Sequence, residues 1–135
     1  MNRPIVYVSC AQSCEIQRFE LSPDCGALRP LGTTPVPGIQ GPSNTSMPLA
    51  ASPDGRVLHA ALRGAPHPCV SFVIAAPDGA LQLIGSAPLP HEACYLTVDR
   101  SGRHLLMASY PGALLASLAL DARGAVIAPP RQTVP

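Results

Sequence analysis

At 135 residues, 47% hydrophobic and only 13% charged, the chain has the size and composition of one packed domain and is too apolar to be disordered. Its net charge of +1 is spread along the sequence, which speaks against a nucleic-acid or anionic-membrane partner. No apolar run approaches the roughly 20 residues of a membrane-spanning helix, and Pro4, Gln12, Glu15 and Arg18 cut the N-terminal apolar stretch too short for a signal peptide, so a cytoplasmic location is the default expectation.

In chain order, three strands are expected first, at Ile5–Cys10, Ile16–Leu21 and Ala27–Thr34. A second group follows at Pro48–Ala51, Val57–Leu62, Cys69–Ala75 and Leu81–Ala87, and a third at Tyr95–Asp99, His104–Ser109, Leu114–Leu120 and Ala125–Ala128. The segment Ala113–Leu120 has the composition of a helix, but its register against the second group predicts a strand. The groups repeat. Ser52-Pro53-Asp54-Gly55-Arg56 matches Asp99-Arg100-Ser101-Gly102-Arg103, with Gly55 and Gly102 47 positions apart. Pro77-Asp78-Gly79-Ala80-Leu81 matches Ala122-Arg123-Gly124-Ala125-Val126, with the glycines 45 apart, and Pro23-Asp24-Cys25-Gly26-Ala27-Leu28 is an earlier copy whose Gly26 lies 53 before Gly79. Glycine supplies the positive φ of a tight hairpin turn, and Asp or Ser closes the turn through its side chain. Four short strands at a period of about 40–50 residues mark propeller blades. Runs apolar on both faces, such as Leu105-Leu106-Met107-Ala108, fit blades packed between neighbours. The expected fold is therefore all-β, a partial propeller of four-stranded antiparallel blades. Residues 1–38 form an incomplete three-stranded first blade, 47–91 the second blade and 94–135 the third.

The opening Val6-Tyr7-Val8-Ser9, then Glu15-Ile16-Gln17-Arg18-Phe19-Glu20-Leu21 and Gly26-Ala27-Leu28, resembles the first blade of the seven-bladed lactonase family that includes the 6-phosphogluconolactonases. Pro48-Leu49-Ala50-Ala51-Ser52-Pro53-Asp54-Gly55-Arg56 and Phe72-Val73-Ile74 resemble its second blade, and Leu96-Thr97-Val98-Asp99 with Gly102-Arg103 its third. The resemblance implies opening of 6-phosphoglucono-δ-lactone to 6-phosphogluconate, a small sugar lactone phosphate as partner, and no cofactor or metal. It also implies a first blade completed by a strand from the far C-terminus, roughly 200 further residues to close the ring, and catalytic His, Arg and Glu residues in later blades, beyond residue 135. An open stack of blades is expected to self-associate through its edges and uncovered faces.

Propeller sites gather at the end that carries the second-to-third strand turns and the connections between blades. Here that end holds Gln40–Ser46, Arg63–His67, Pro90–Ala93 and Tyr110–Gly112. The substrate-binding candidates are Arg63, His91, Glu92 and Tyr95. Arg63 suits a phosphate or carboxylate, or is simply solvated. His91, like His67, is a general base or a bystander; Glu92 pairs with His91 or solvates its loop; Tyr95 faces the channel or packs. His59 and His104 carry no site signal. Five cysteines without a CxxC pair are expected to be buried thiols acting as small hydrophobes, with a Cys10/Cys14 metal site or a nucleophilic cysteine as the alternatives. The competing readings are a non-catalytic propeller scaffold, a related lactonase or cyclase with another substrate, and a complete small β-sandwich.

Overall fold

The computed structural model describes residues 3–41 and 46–135. The described residues form eleven strands and no helix: β1 (Ile5–Cys10), β2 (Glu15–Leu21), β3 (Leu28–Pro35), β4 (Leu49–Ala51), β5 (Val57–Ala61), β6 (Pro68–Ala75), β7 (Ala80–Pro88), β8 (Tyr95–Val98), β9 (His104–Ser109), β10 (Leu114–Leu120) and β11 (Val126–Val134). They make three antiparallel sheets, each a meander of consecutive strands: β1-β2-β3, β4-β5-β6-β7 and β8-β9-β10-β11. Local meanders rule out the long-range pairings of a β-sandwich.

The repeated turns adopt one conformation. Gly55 and Gly102 both have φ of 71°, and Gly26 and Gly79 both have φ of 72°, a region open to glycine at no steric cost. In the β4–β5 turn the Ser52 hydroxyl donates to Asp54 (2.6 Å) and accepts from the Val57 amide (3.0 Å), while Asp54 accepts from the Arg56 amide (3.0 Å). The β8–β9 turn carries the same network with the residues exchanged. Asp99 accepts from the Arg103 and His104 amides (3.0 Å each), and the Ser101 hydroxyl donates to Asp99 (2.6 Å). Hydrogen bonds to the charged form hold the Asp99 carboxyl well below the usual carboxylate range, Ser101 contributing most, and Asp54 is lowered chiefly by Ser52.

A register shift recurs at Arg18/Phe19, Ser71/Phe72 and Ser117/Ala119, always between the third and fourth strands of the repeat. This aligns β2 with β6 and β10, and so β1 with β5 and β9. The first sheet thus lacks the counterpart of β4 and β8, and the edge of β1 is open on that side. One strand runs on where the sequence suggests it stops. Ala125–Ala128 is the expected fourth strand of the third group, yet β11 continues to Val134 through Pro129 and Pro130. Its pairing with β10 breaks between Ile127 and Gln132, so neither proline occupies a ladder position that needs an amide hydrogen. The helix-like composition of Ala113–Leu120 is overridden: β10 pairs with β9 from Leu114 to Ala119.

The second sheet is sealed on both sides, and every residue of β5 is buried. Leu58, Ala60, Val70 and Phe72 pack with Ile16, Val36 and Met47 on the first-sheet side. Ala61, Cys69 and Ala87 pack with Leu96, Leu105, Met107, Ala116 and Leu118 on the third-sheet side. The outward face of the third sheet has no such cover: Leu106 is 41% exposed and Leu115 57%. Polar links cross both interfaces. The Tyr7 hydroxyl donates to the Gly79 carbonyl (2.6 Å), at a glycine where a Cβ would stand 2.5 Å from that oxygen. The Ser71 hydroxyl accepts from the Val126 amide of the third sheet (3.3 Å) and meets His59 Nδ1 at 2.9 Å. Ser71 thus ties the His59 ring of the second sheet to the backbone of the third.

His59 is fully buried, and desolvation pushes its pKa down to about 4. The unfolded chain therefore binds the proton more tightly than the folded one. Stability is complete above about pH 6.5 and falls as pH drops towards 4, by about 3 kcal/mol in total. Urea unfolding at about pH 7.5 and pH 5 checks this. The parent chain is expected to lose midpoint between the two, and His59→Gln to lose much less; equal losses would refute the assignment.

Candidate functional site

The β1–β2, β3–β4, β5–β6, β7–β8 and β9–β10 connections emerge at one end of the stack, opposite the Asp–Gly turns. Three of them converge on Arg63. Its guanidinium forms a two-pronged pair with Glu92, Nε to Oε2 and NH2 to Oε1 both at 3.3 Å, and its NH1 donates to Ser46 Oγ at 3.1 Å. Arg63 belongs to the β5–β6 connection, Glu92 to the crossover between the second and third sheets, and Ser46 to the segment leading into β4. The pair is largely shielded, with side chains 16% and 26% exposed. The hydrogen bond from Nε, with NH2 within ion-pair reach of the second oxygen, fixes the geometry as well as the charge.

His91 is held from its other side. The Ser109 hydroxyl accepts from the Gly112 amide (3.0 Å) and lies 3.3 Å from His91 Nδ1. Ser109 thus anchors the imidazole through Nδ1 and leaves Nε2 as the ring nitrogen free of that contact. The His67 ring stacks on it, centroids 5.6 Å apart and planes 10° from parallel. His67 has φ of 59°, a costly conformation for a side-chain-bearing residue. It is fixed by its amide donating to the Gly64 carbonyl (2.7 Å) and its carbonyl accepting from the Leu89 amide (2.9 Å). Its buried Nδ1 has no partner among the described residues.

Beside this cluster lies a cleft of about 760 Å³ lined by Ser9, Gln12, Ser13, Ser46, Met47 and Cys94, among others. Ser46 joins the cleft to Arg63. The hydroxyls and the amide suit a polyhydroxylated ligand. Tyr95 follows Cys94 at the head of β8 and is 65% exposed, paired in register with Ala108.

The structure thus brings together three of the four sequence candidates, Arg63, His91 and Glu92, through their loops, and leaves Tyr95 on the open side. Glu92 pairs with Arg63, not with His91. His67, weighed with His91 from the sequence, and Ser46, at the end of the expected Gln40–Ser46 loop, join the cluster, whereas Ser109 belongs to it without a sequence signal of its own. Gly112 was the one available clue, because a Cβ there would stand 2.7 Å from His91 Cγ and 2.9 Å from Ser109 Oγ. Of the expected loop Gln40–Ser46, residues 42–45 lie outside the described residues. Among the described residues no three His, Cys, Asp or Glu side chains gather as a metal site. The five cysteines are free thiols, but of the expected buried set only Cys69 is buried, while Cys10 and Cys14 are partly covered and Cys25 and Cys94, in a turn and a loop, are exposed; burial pushes Cys69 up to about 12, which makes it a core hydrophobe and not a nucleophile.

Gly112→Ala is expected to destabilise the chain by about 1–3 kcal/mol, since ring and hydroxyl must both shift. Thermal unfolding checks the loss. Nitrogen-15 spectra of the imidazoles are expected to change at His91 in the variant, as the Ser109 contact to its Nδ1 is displaced.

Residues 5–134 match the family model described as lactonase, 7-bladed beta-propeller. A 6-phosphogluconolactonase of Serratia proteamaculans is 38% identical over 130 residues, which cover 96% of this chain and 37% of that protein. One from Yersinia pestis is 36% identical over 127 residues, covering 94% and 35%. The solved structure of the Pseudomonas aeruginosa periplasmic gluconolactonase PpgL superposes with a TM-score of 0.79 at 24% identity over 96% of this chain and 36% of that one. The chain therefore spans little more than a third of the length of the relatives it matches. Three meander sheets packed face to face, their repeated turns and a family match across almost every described residue lead to one conclusion: the chain belongs to the seven-bladed β-propeller lactonase family.

Proposed function

We propose that this chain is the N-terminal share of a hydrolase that opens 6-phosphoglucono-δ-lactone to 6-phosphogluconate, in the cytoplasm. The observation that carries the reading is the 36–38% identity to 6-phosphogluconolactonases over nearly the whole chain. In the reaction, water adds to the lactone carbonyl carbon, the carbonyl oxygen takes up negative charge, and the ring C–O bond breaks as its oxygen is protonated to a hydroxyl. A proton from the water is released with the new carboxylate. His91, anchored through Nδ1, offers Nε2 to the reacting groups, the Ser9, Gln12, Ser13 and Ser46 cleft receives sugar hydroxyls, and Arg63, held in place by Glu92 and Ser46, supplies positive charge to the ligand's phosphate. Free thiols, with Cys69 sealed in the interior, suit a reducing compartment.

The neutralised state of Arg63 favours a second reading, a binding scaffold in which the Arg63–Glu92 pair is purely a clamp. Titration with 6-phosphogluconate separates the two. The enzyme reading expects amide shifts at Arg63, His91 and Glu92, and Arg63→Gln weakening the binding by about tenfold through loss of charge-assisted hydrogen bonds. Shifts elsewhere, or none, would favour the scaffold.

The uncovered outward face of the third sheet, with Leu106, Leu115 and Tyr95, and the open edge of β1 are proposed to drive self-association. Sedimentation of the 135-residue chain is expected to show species larger than a monomer, reduced by a Leu106→Gln/Leu115→Gln double variant. A compact monomer at all concentrations would overturn this.

A further inference from the structure

The Asp–Gly turn end, opposite Arg63 and Glu92, holds a second cleft of about 630 Å³ between the second and third sheets. Three arginines line it, each from a different turn: Arg56 between β4 and β5, Arg100 between β8 and β9, and Arg123 between β10 and β11. Among the described residues none of the three is paired with a carboxylate, whereas Arg3, Arg18, Arg29 and Arg63 all are. Two aspartates also line the cleft, but both are engaged with their own turns. Asp54 accepts from the Ser52 hydroxyl and the Arg56 amide, and Asp121 accepts from the Arg123 amide (2.8 Å) and the Ala125 amide (3.0 Å).

The floor between these turns is apolar, formed by Val57, Val73, Ile74 and Leu120. His59 stands in the same wall, and its buried Nε2 has no partner among the described residues. Buried polar atoms are nearly always satisfied, so an orphan of this kind marks a place where a further group completes the structure. The turn around Gly124 closes the cleft firmly, since a Cβ there would lie 2.8 Å from Val57 Cγ2. A cationic rim above an apolar floor matches a molecule with an oxyanion head and an apolar body.

We propose that this inter-sheet cleft binds an organic anion, its phosphate or carboxylate group held by Arg56, Arg100 and Arg123 and its apolar part lying on Val57 and Leu120. The reading is independent of what the opposite end does.

Calorimetric titration of the chain with inorganic phosphate and with octyl phosphate tests it. Octyl phosphate is expected to bind about tenfold or more tighter than phosphate, because burying two or so methylenes suffices for that factor. An Arg56→Gln/Arg100→Gln/Arg123→Gln variant is expected to lose about tenfold or more in affinity, and raised salt to weaken the parent alone. All three side chains are on the surface, so the variant keeps its core. Arg29→Gln, on the first sheet, and the Leu106→Gln/Leu115→Gln double variant are expected to bind as the parent does. No binding up to about 10 mM, which corresponds to under 3 kcal/mol, would overturn the proposal. So would equal affinity in the triple variant, or loss of binding only in the Leu106/Leu115 variant.

Discussion

The constraint on which the structure depends is the burial of the second sheet on both faces. A sheet with one wet face alternates apolar and polar residues; β5, with Val57 to Ala61 all buried, cannot. Its odd positions are committed to the third sheet and its even positions to the first. The first-sheet side takes the bulk of Leu58 and Phe72, and the third-sheet side takes small residues such as Ala61, Cys69 and Ala87 against Leu105, Met107 and Leu118. Neither interface has independent standing, because each uses the same thin layer of backbone.

Apolar contact alone leaves the sheets free to slide, and the polar links remove that freedom. Tyr7 reaches the Gly79 carbonyl across the first interface, and Ser71 joins His59 to the Val126 amide across the second. Buried hydrogen bonds of this kind specify one register, since any other leaves donors and acceptors unpaired in a dry environment. The cost is a histidine that must stay neutral. At the exposed end of the same sheets, the turn carboxylates are fully ionised and satisfied by backbone amides, so the two ends of one meander place opposite demands on protonation.

The loop cluster at the other end inherits its precision from this packing. Arg63 and His67 extend from the second sheet, Ser109 and Gly112 from the third, and His91 and Glu92 from the crossover that joins them. A displacement between sheets would separate the Arg63–Glu92 pair and unstack the two imidazoles together. Ser71 and Ser109 play parallel parts here. Each accepts a backbone amide and meets the Nδ1 of a histidine, one in the interior and one at the candidate site. Both imidazoles are thus anchored by serines that the packing of the sheets positions.

Much of the fold was legible in the residue order. The tight turns at Gly55 and Gly102 need a positive φ that glycine supplies without steric cost, and Asp or Ser beside it closes the turn locally, so the repeat could be read without knowing what packs on what. The continuation of β11 through Pro129 and Pro130 and the strand at Leu114–Leu120 were less accessible, since both depend on a strand's neighbours and not on its composition. The candidate site was legible only in part. Arg63, His91 and Glu92 announce themselves as ionisable residues at the expected end, but their partners do not. The pairing of Arg63 with Glu92, 29 positions away, and the hold of Ser109 on His91, 18 away, come from sheets brought face to face. Short-range chemistry, which turns and strands obey, is written residue by residue. Long-range contacts between side chains exist only once the sheets have packed, and that decided which charges are neutralised and which imidazoles a serine anchors.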